Sequence, residues 1–95
     1  MYKVIFSKAS RVEIKNIFKY IALDNEAIAN SFVDKMISYF NNRLSQMPLS
    51  CQKVKGEIRI LPYKRYGVLF LVDEKEMIVK VLHIFSGGQD WGEWI

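Results

Sequence analysis

The spacing of hydrophobic residues changes from helical to strand-like about halfway along the chain. A short apolar run at Tyr2–Phe6, rich in β-branched and aromatic residues, predicts an opening strand. The residues that follow predict a helix that begins near Lys8, is capped by Ser7 and ends before the turn sequence LDNEA. Apolar residues at i, i+3, i+4 and i+7 give this helix one apolar face, formed by Ile14, Ile17, Phe18 and Ile21.

A second amphipathic helix is predicted from roughly Glu26 to Gln46. Pro48 ends it, because proline lacks the N–H group and clashes with the preceding turn of a helix. Since so short a break separates the two helices, they are expected to form an antiparallel hairpin. The apolar stripe of the second helix comprises Ala29, Phe32, Val33, Met36, Ile37, Phe40, Leu44 and Met47.

The second half of the chain reads as strands. The segment PLSCQKVKGE (residues 48–57) resembles a linker, and the polar sequence DEKE (residues 73–76) predicts a hairpin turn. Apolar residues fill both alternations of the last two strands, so both faces of these strands are expected to be covered. The predicted element order is therefore β-α-α-β-β-β, with strands at Ile58–Leu61, Arg65–Asp73 and Met77–Phe85.

Length and composition predict one packed domain over residues 1–95, since 51% of the residues are hydrophobic. The net charge of +4 fits a nucleic acid, an acidic protein partner or simple solubility. A single cysteine, Cys51, excludes an internal disulfide and suits a reducing compartment. No apolar run approaches the roughly 20 residues that span a bilayer. We expect a soluble, cytoplasmic protein without membrane contacts.

The polar residues near the end of the chain predict little catalytic chemistry. With one cysteine and one histidine far apart, neither a metal site nor a cofactor is expected. His83 lies within an apolar strand, which favours a hydrogen-bonded core or groove histidine over an acid–base role. Nothing orders Ser86, His83 and Asp90 as a catalytic triad. Too few residues follow Gly87 and Gly88 for a phosphate-binding helix, so these glycines predict a turn that ends the strand.

Basic residues and two tryptophans are the remaining candidates for contacts with other molecules. Basic side chains beside Tyr63 and Tyr66 could contact phosphates and stack on bases, but a solvated strand edge has the same pattern and is favoured. Trp91 and Trp94 either dock back on the sheet or anchor a partner. The basic residues in question are Lys53, Lys55, Arg59, Lys64 and Arg65.

Several segments, in this order, resemble toxins of the RelE/ParE superfamily of toxin–antitoxin modules. They are YKVIFSKASRVEIKNIFKYIALDNEAIANSFVDKMISYF, RILPYKRYGVLFLVDEKEMIVKVLHIF and the closing GGQDW, which together cover almost the whole chain. The resemblance implies an α+β fold in which a helical hairpin packs on a small, mostly antiparallel sheet. It also implies a growth-inhibiting toxin neutralised by a cognate antitoxin, assembled as a homodimer or as a toxin–antitoxin hetero-oligomer.

The superfamily contains two different activities. RelE-like members cut mRNA on the ribosome, and in that case His83 would move a proton while positive charge would come from Lys53, Lys55, Arg59 and Arg65. However, the superfamily often has a sequence similar to HGRRDW where this chain has SGGQDW. Ser86 then replaces a histidine, and Gly88 and Gln89 replace an arginine pair, which disfavours the nuclease.

The sequence therefore favours a ParE-like toxin that poisons DNA gyrase without itself breaking a bond. The alternatives are a ribosome-dependent endoribonuclease, a diverged inactive member and a plain nucleic-acid-binding domain. For the ParE-like toxin, the predicted contact residues for target or partner are Arg59, Arg65, Ser86, Gly88, Gln89, Asp90, Trp91 and Trp94.

Overall fold

A computed structural model describes residues 1–95, which form two helices and five strands. The long helices begin and end where the sequence predicts them, because a capping side chain opens each one and a turn or proline closes it. Two short 3-10 turns lie at Pro48–Ser50 and Trp91–Trp94. In chain order the elements are β1 (Lys3–Phe6), α1 (Lys8–Ala22), α2 (Glu26–Gln46), β2 (Gln52–Lys55), β3 (Ile58–Tyr63), β4 (Tyr66–Asp73) and β5 (Ile78–Ser86).

The strands form a single sheet in the order β1-β5-β4-β3-β2. β1 runs parallel to β5, and the other three neighbouring pairs are antiparallel. The two helices pack against each other and on one face of the sheet, α1 mainly on β5 and α2 on β1 and β3. The expected α+β fold, a helical hairpin on a small and mostly antiparallel sheet, is confirmed.

Two details of the sequence prediction are wrong. The segment predicted as a linker carries the Pro48–Ser50 turn and β2, so the sheet has five strands rather than four. The sequence pattern did not predict β2, because it is a short edge strand with a single apolar residue, Val54, between exposed lysines. Met47, assigned to the apolar stripe of α2, is 58% exposed because the chain turns away at Pro48.

The core lies between the helical hairpin and the sheet. The helices contribute Ile17, Met36, Phe40 and Leu44, which confirms both predicted apolar faces. The strands contribute Leu61, Val68, Phe70, Val79, Val81 and Ile84.

A bulge in β5 changes the side-chain alternation of that strand. His83 pairs with Leu69, but the next pair joins Val81 to Phe70, so Leu82 is an extra residue. As a result, the side chains beyond the bulge change faces relative to those before it.

Neither helix combines the length and the apolar character that a membrane span requires.

We predict that Ser7→Ala destabilises the protein more than Asn25→Ala does. The Ser7 hydroxyl accepts from the Ser10 N–H at 3.0 Å and donates to the Leu82 carbonyl at 2.8 Å, so it both caps α1 and ties it to the bulge. The Asn25 side chain makes only the exposed capping bond to the Ile28 N–H. Urea unfolding should show a loss of about 1–3 kcal/mol for Ser7→Ala and about 0.5–1 kcal/mol for Asn25→Ala. Equal losses would contradict the second role of Ser7.

Candidate functional site

A groove of about 620 Å³ lies between α1 and the region where β4 begins and β5 ends. Four of the contact residues predicted from the sequence, Arg65, Ser86, Gly88 and Gln89, line it. Sequence analysis missed the contribution of α1, which forms the opposite wall. The remaining lining residues are Glu13, Asn16, Ile17, Tyr20, Tyr66, Ile84 and Gly87.

The carboxylate of Glu13 holds the two walls of this groove together. One oxygen, Oε2, lies 2.9 Å from Nδ1 of His83, and the other, Oε1, accepts the backbone N–H of Ile84 at 2.9 Å. The sequence carried a signal for this role. Glu13 is the only acidic residue of α1, and it lies three residues from buried Ser10 and four from buried Ile17, on the same side of the helix.

His83 is therefore a hydrogen-bonded histidine, as the favoured interpretation of the sequence predicts. Its ring is half-buried between Glu13 on one side and Trp94, whose ring centroid lies 4.6 Å away, on the other. Asp90 and Ser86 form no hydrogen bond with His83, so no triad is assembled.

Residues 86–89 form a closed turn that ends β5. The Gly87 N–H donates to the Arg65 carbonyl at 2.6 Å, and the Gln89 N–H donates to the Ser86 carbonyl at 3.0 Å. The Gln89 side chain folds back to accept the Ser86 N–H at 2.7 Å. Since no helix follows directly, the interpretation of the two glycines as a strand-ending turn is confirmed. Asp90 follows the turn and is exposed.

The two tryptophans dock on the face of the sheet that the helices leave uncovered. Trp91 packs on Phe85 with a centroid distance of 5.6 Å, and Trp94 packs on His83. Phe85 and His83 pair across the strands with Gly67 and Leu69, respectively. Each tryptophan thus covers one cross-strand pair, and both faces of the last two strands are covered at this end. Trp94 remains 37% exposed.

Arg59 is engaged within the chain, although the sequence suggested a contact or catalytic residue. Its Nη1 donates to the carbonyls of Cys51 at 2.6 Å and Leu49 at 3.2 Å, which fixes the Pro48–Ser50 turn against β3. Arg43 of α2 holds the same turn through Ser50 at 3.1 Å. Burial raises the pKa of the Cys51 thiol, an effect that the nearby Arg43 and Arg59 oppose.

The tyrosines beside the basic residues belong to an aromatic cluster on α2. Tyr63 and Tyr66 pack on Phe32 with centroid distances of 6.0 and 5.5 Å. The Lys64 ammonium lies over the Phe32 and Tyr63 rings at 5.7 and 5.5 Å. Because Tyr63 and Tyr66 are half-buried in this cluster, neither presents a free ring for base stacking.

The five residues considered for a nuclease are divided between distant parts of the sheet. Lys53 and Lys55 lie on the outer strand β2, three strand spacings from β5, or about 14 Å. Arg59 pairs with Phe70, whereas His83 pairs with the neighbouring Leu69, so the two side chains project from opposite faces of the sheet.

Arg65 lies at the other end of the sheet, in the groove. Nowhere in the chain do three or more His, Cys, Asp or Glu side chains group in a way that could hold a metal ion.

Comparison with known proteins identifies related toxins. The family model for the ParE toxin of the type II toxin–antitoxin system parDE matches residues 4–91. A chain from the chromosomal ParDE system of P. aeruginosa superposes with a TM-score of 0.76 at 16% identity, covering 90% of this chain and 96% of that chain.

A chain of the RelBE2 toxin–antitoxin complex from Mycobacterium tuberculosis gives a TM-score of 0.68 at 16% identity, with 90% of each chain covered. The isolated E. coli RelE toxin gives 0.61 at 11% identity, covering 99% of this chain and 93% of that chain. No curated protein matches the sequence. At these identities the structural likenesses establish the fold alone.

We predict that Arg59→Ala destabilises the fold whatever it does to activity. The substitution removes two hydrogen bonds from a charged donor to carbonyls of the Pro48–Ser50 turn and β2, a loss of about 1–3 kcal/mol in the free energy of unfolding. Lys55→Ala is the matched control, because the Lys55 side chain is exposed and makes no hydrogen bond, and its effect should stay within about 0.5 kcal/mol. Equal stability of the two variants by denaturant unfolding would refute this stabilising role of Arg59.

Gly67→Ala is expected to undock Trp91. A Cβ atom at Gly67 would lie 2.5 Å from Cζ of Phe85, whose buried ring has Trp91 on it, so the ring must move. The expected loss is about 1–3 kcal/mol, with a red shift of tryptophan emission. Gly88→Ala is the control: its Cβ would meet no atom within 4 Å, and stability should change by less than about 0.5 kcal/mol. Unchanged emission in Gly67→Ala would refute the packing argument.

Proposed function

The chain belongs to the ParE toxin family of type II toxin–antitoxin systems, and we propose that it arrests growth by poisoning DNA gyrase. The observation that carries this proposal is the match of the ParE family model to nearly the whole chain, residues 4–91. Gyrase poisoning requires contact with a protein–DNA complex and no bond-breaking residue of the toxin itself.

The arrangement of charged residues supports contact rather than cleavage. A ribonuclease needs a base, an acid and a cation that converge on one phosphate. In this chain, Lys53 and Lys55 lie at one edge of the sheet, Arg59 donates to main-chain carbonyls, and His83 is hydrogen-bonded to Glu13. This distribution favours the gyrase poison over the nuclease.

The proposed contact surface comprises the groove and the tail that follows β5. Arg65 is the exposed cation of the groove, and the tail exposes Asp90 and part of Trp94. Ser86, Gly88 and Gln89 connect the two regions, because they line the groove and lead into the tail. Arg59, which is used within the fold, is not included in this surface.

We further propose that a cognate antitoxin neutralises the protein. Solved structures with the same fold include chains of toxin–antitoxin complexes from M. tuberculosis and E. coli. The net charge of +4 suits an acidic partner.

The test is a cleavage assay with purified gyrase, supercoiled plasmid and ATP. The protein should cause linear DNA to accumulate after detergent and protease treatment. Arg65→Gln should reduce the linear product by about tenfold or more, the effect of losing one charged contact of about 1.5–3 kcal/mol. Since Arg65 is exposed and its side chain makes no internal hydrogen bond, the variant should remain fully folded.

The control variant is the double substitution Lys53→Ala and Lys55→Ala, which removes the β2 cations and should leave the linear product unchanged. A parallel translating extract monitors the mRNA. Cut mRNA without linear DNA, abolished by the double variant, would replace the gyrase proposal with the ribosome-dependent nuclease. A folded protein with neither activity would be an inactive family member, or a plain nucleic-acid-binding domain if it binds DNA with steep salt dependence.

A further inference from the structure

The guanidinium group of Arg65 is a free cation at the edge of the groove. Lys53 pairs with Glu57, and His83 is hydrogen-bonded to Glu13, whereas Arg65 takes part in neither contact. Glu13, the one acidic residue lining the groove, is already hydrogen-bonded to His83 and to the Ile84 N–H. The groove therefore offers a positive charge that no residue of the chain neutralises.

Neutral polar groups beside Arg65 are also without partners inside the chain. The hydroxyls of Tyr66 and Ser86 and the side-chain amide of Asn16 line the groove, and none of them makes a hydrogen bond. Burial raises the pKa of the Tyr66 hydroxyl above its ordinary value of 10.0, and the proximity of Tyr20 adds to this while Arg65 opposes it. Tyr66 therefore keeps its proton at physiological pH and can donate a hydrogen bond.

Gly88 is a glycine that the fold itself does not require. Its φ angle lies outside the left-handed region, and a Cβ atom added there would meet nothing within 4 Å. The fold would accept a side chain at this position. Because glycine has none, the backbone of another molecule can approach the groove wall closely here.

Part of the groove lining is apolar. Ile17 and Ile84 belong to the lining and are almost fully buried. Tyr20 lines the groove and is 72% exposed, and Leu23, the residue that follows α1, is 83% exposed. A ligand held by Arg65 would therefore have apolar surface beside its charged group.

We propose that the groove binds an acidic side chain of a partner protein together with the apolar side chain next to it. The carboxylate pairs with Arg65 and accepts from the Tyr66 hydroxyl, Gly88 admits the partner backbone, and the apolar side chain lies against the exposed ring of Tyr20. This inference rests on the proposed function, because a toxin of this class would act and be neutralised through protein contacts.

Charge and composition favour a protein carboxylate over a nucleic-acid phosphate. A phosphate backbone presents repeated charges and is bound by several cations in a row. Arg65 is the one cation of the groove lining, and the other exposed basic residues, Lys15, Lys19 and Lys64 among them, are not part of it. A single carboxylate flanked by apolar atoms matches the lining better.

The test is an NMR titration of the whole protein with two blocked tripeptides, N-acetyl-Asp-Leu-Leu-amide and its Asn-Leu-Leu counterpart. The acidic peptide should shift the amide signals of Gly87 and Gly88, with half-saturation on the order of millimolar for so small a ligand. The Asn peptide should bind about tenfold or more weakly, because it lacks the charge. Arg65→Gln should abolish the preference between the two peptides.

Lys55→Gln provides the matched control, since it removes one exposed positive charge on β2 and should preserve the preference. Three outcomes would overturn the inference. They are equal affinity for both peptides, signal shifts confined to other parts of the chain, and no shift at 10-fold the concentration expected for half-saturation. A single-stranded oligonucleotide that displaces the acidic peptide with steep salt dependence would overturn it as well.

The gyrase assay separates this inference from the proposed function. Loss of peptide selectivity with cleavage complexes retained would overturn the groove inference alone. Selective peptide binding without cleavage complexes would support the groove and overturn gyrase poisoning.

Discussion

The carboxylate of Glu13 joins the helical hairpin to the part of β5 that β1 leaves unpaired. β1 is only four residues long and reaches Val81, so the outer edge of β5 beyond that point has no strand neighbour. Ser7 accordingly binds the Leu82 carbonyl, Glu13 binds the Ile84 N–H, and Gln89 binds the Ser86 N–H. Side chains thus satisfy an edge that would otherwise be open to strand addition. The position of α1, and with it the shape of the groove, depends on these bonds.

The bulge at Leu82 gives the last strand two different surfaces. Before it, Val79 and Val81 face the helices; beyond it, Ile84 does so while His83 and Phe85 face the opposite side. The tail that follows β5 covers this second surface with its two tryptophans. His83 contacts α1 through its hydrogen bond to Glu13 and contacts the tail through Trp94. This one half-buried side chain therefore links the helical layer to the tail.

Four basic residues have three different roles in this architecture. Arg59 stabilises the turn between α2 and β2, Lys53 and Lys55 remain solvated at the outer edge, and Arg65 is free at the groove. The fold by itself does not determine a target. The groove proposed to contact a partner protein is lined by one cation, Arg65, by neutral polar groups and by a few apolar side chains.

The sequence by itself determined the two helices and four of the five strands, because capping residues, apolar periodicity and turn residues act over a few positions. The sequence pattern did not predict β2, because a short edge strand buries too few apolar residues. Nor did it predict the role of Arg59, because the carbonyl groups that Arg59 binds belong to a turn that the pattern did not indicate. Only the tertiary structure decided that Glu13, 70 residues from His83, would form the other wall of the groove. Contacts between elements distant in sequence depend on strand order and register, and these are fixed by the packing of the whole core rather than by any local stretch of the chain.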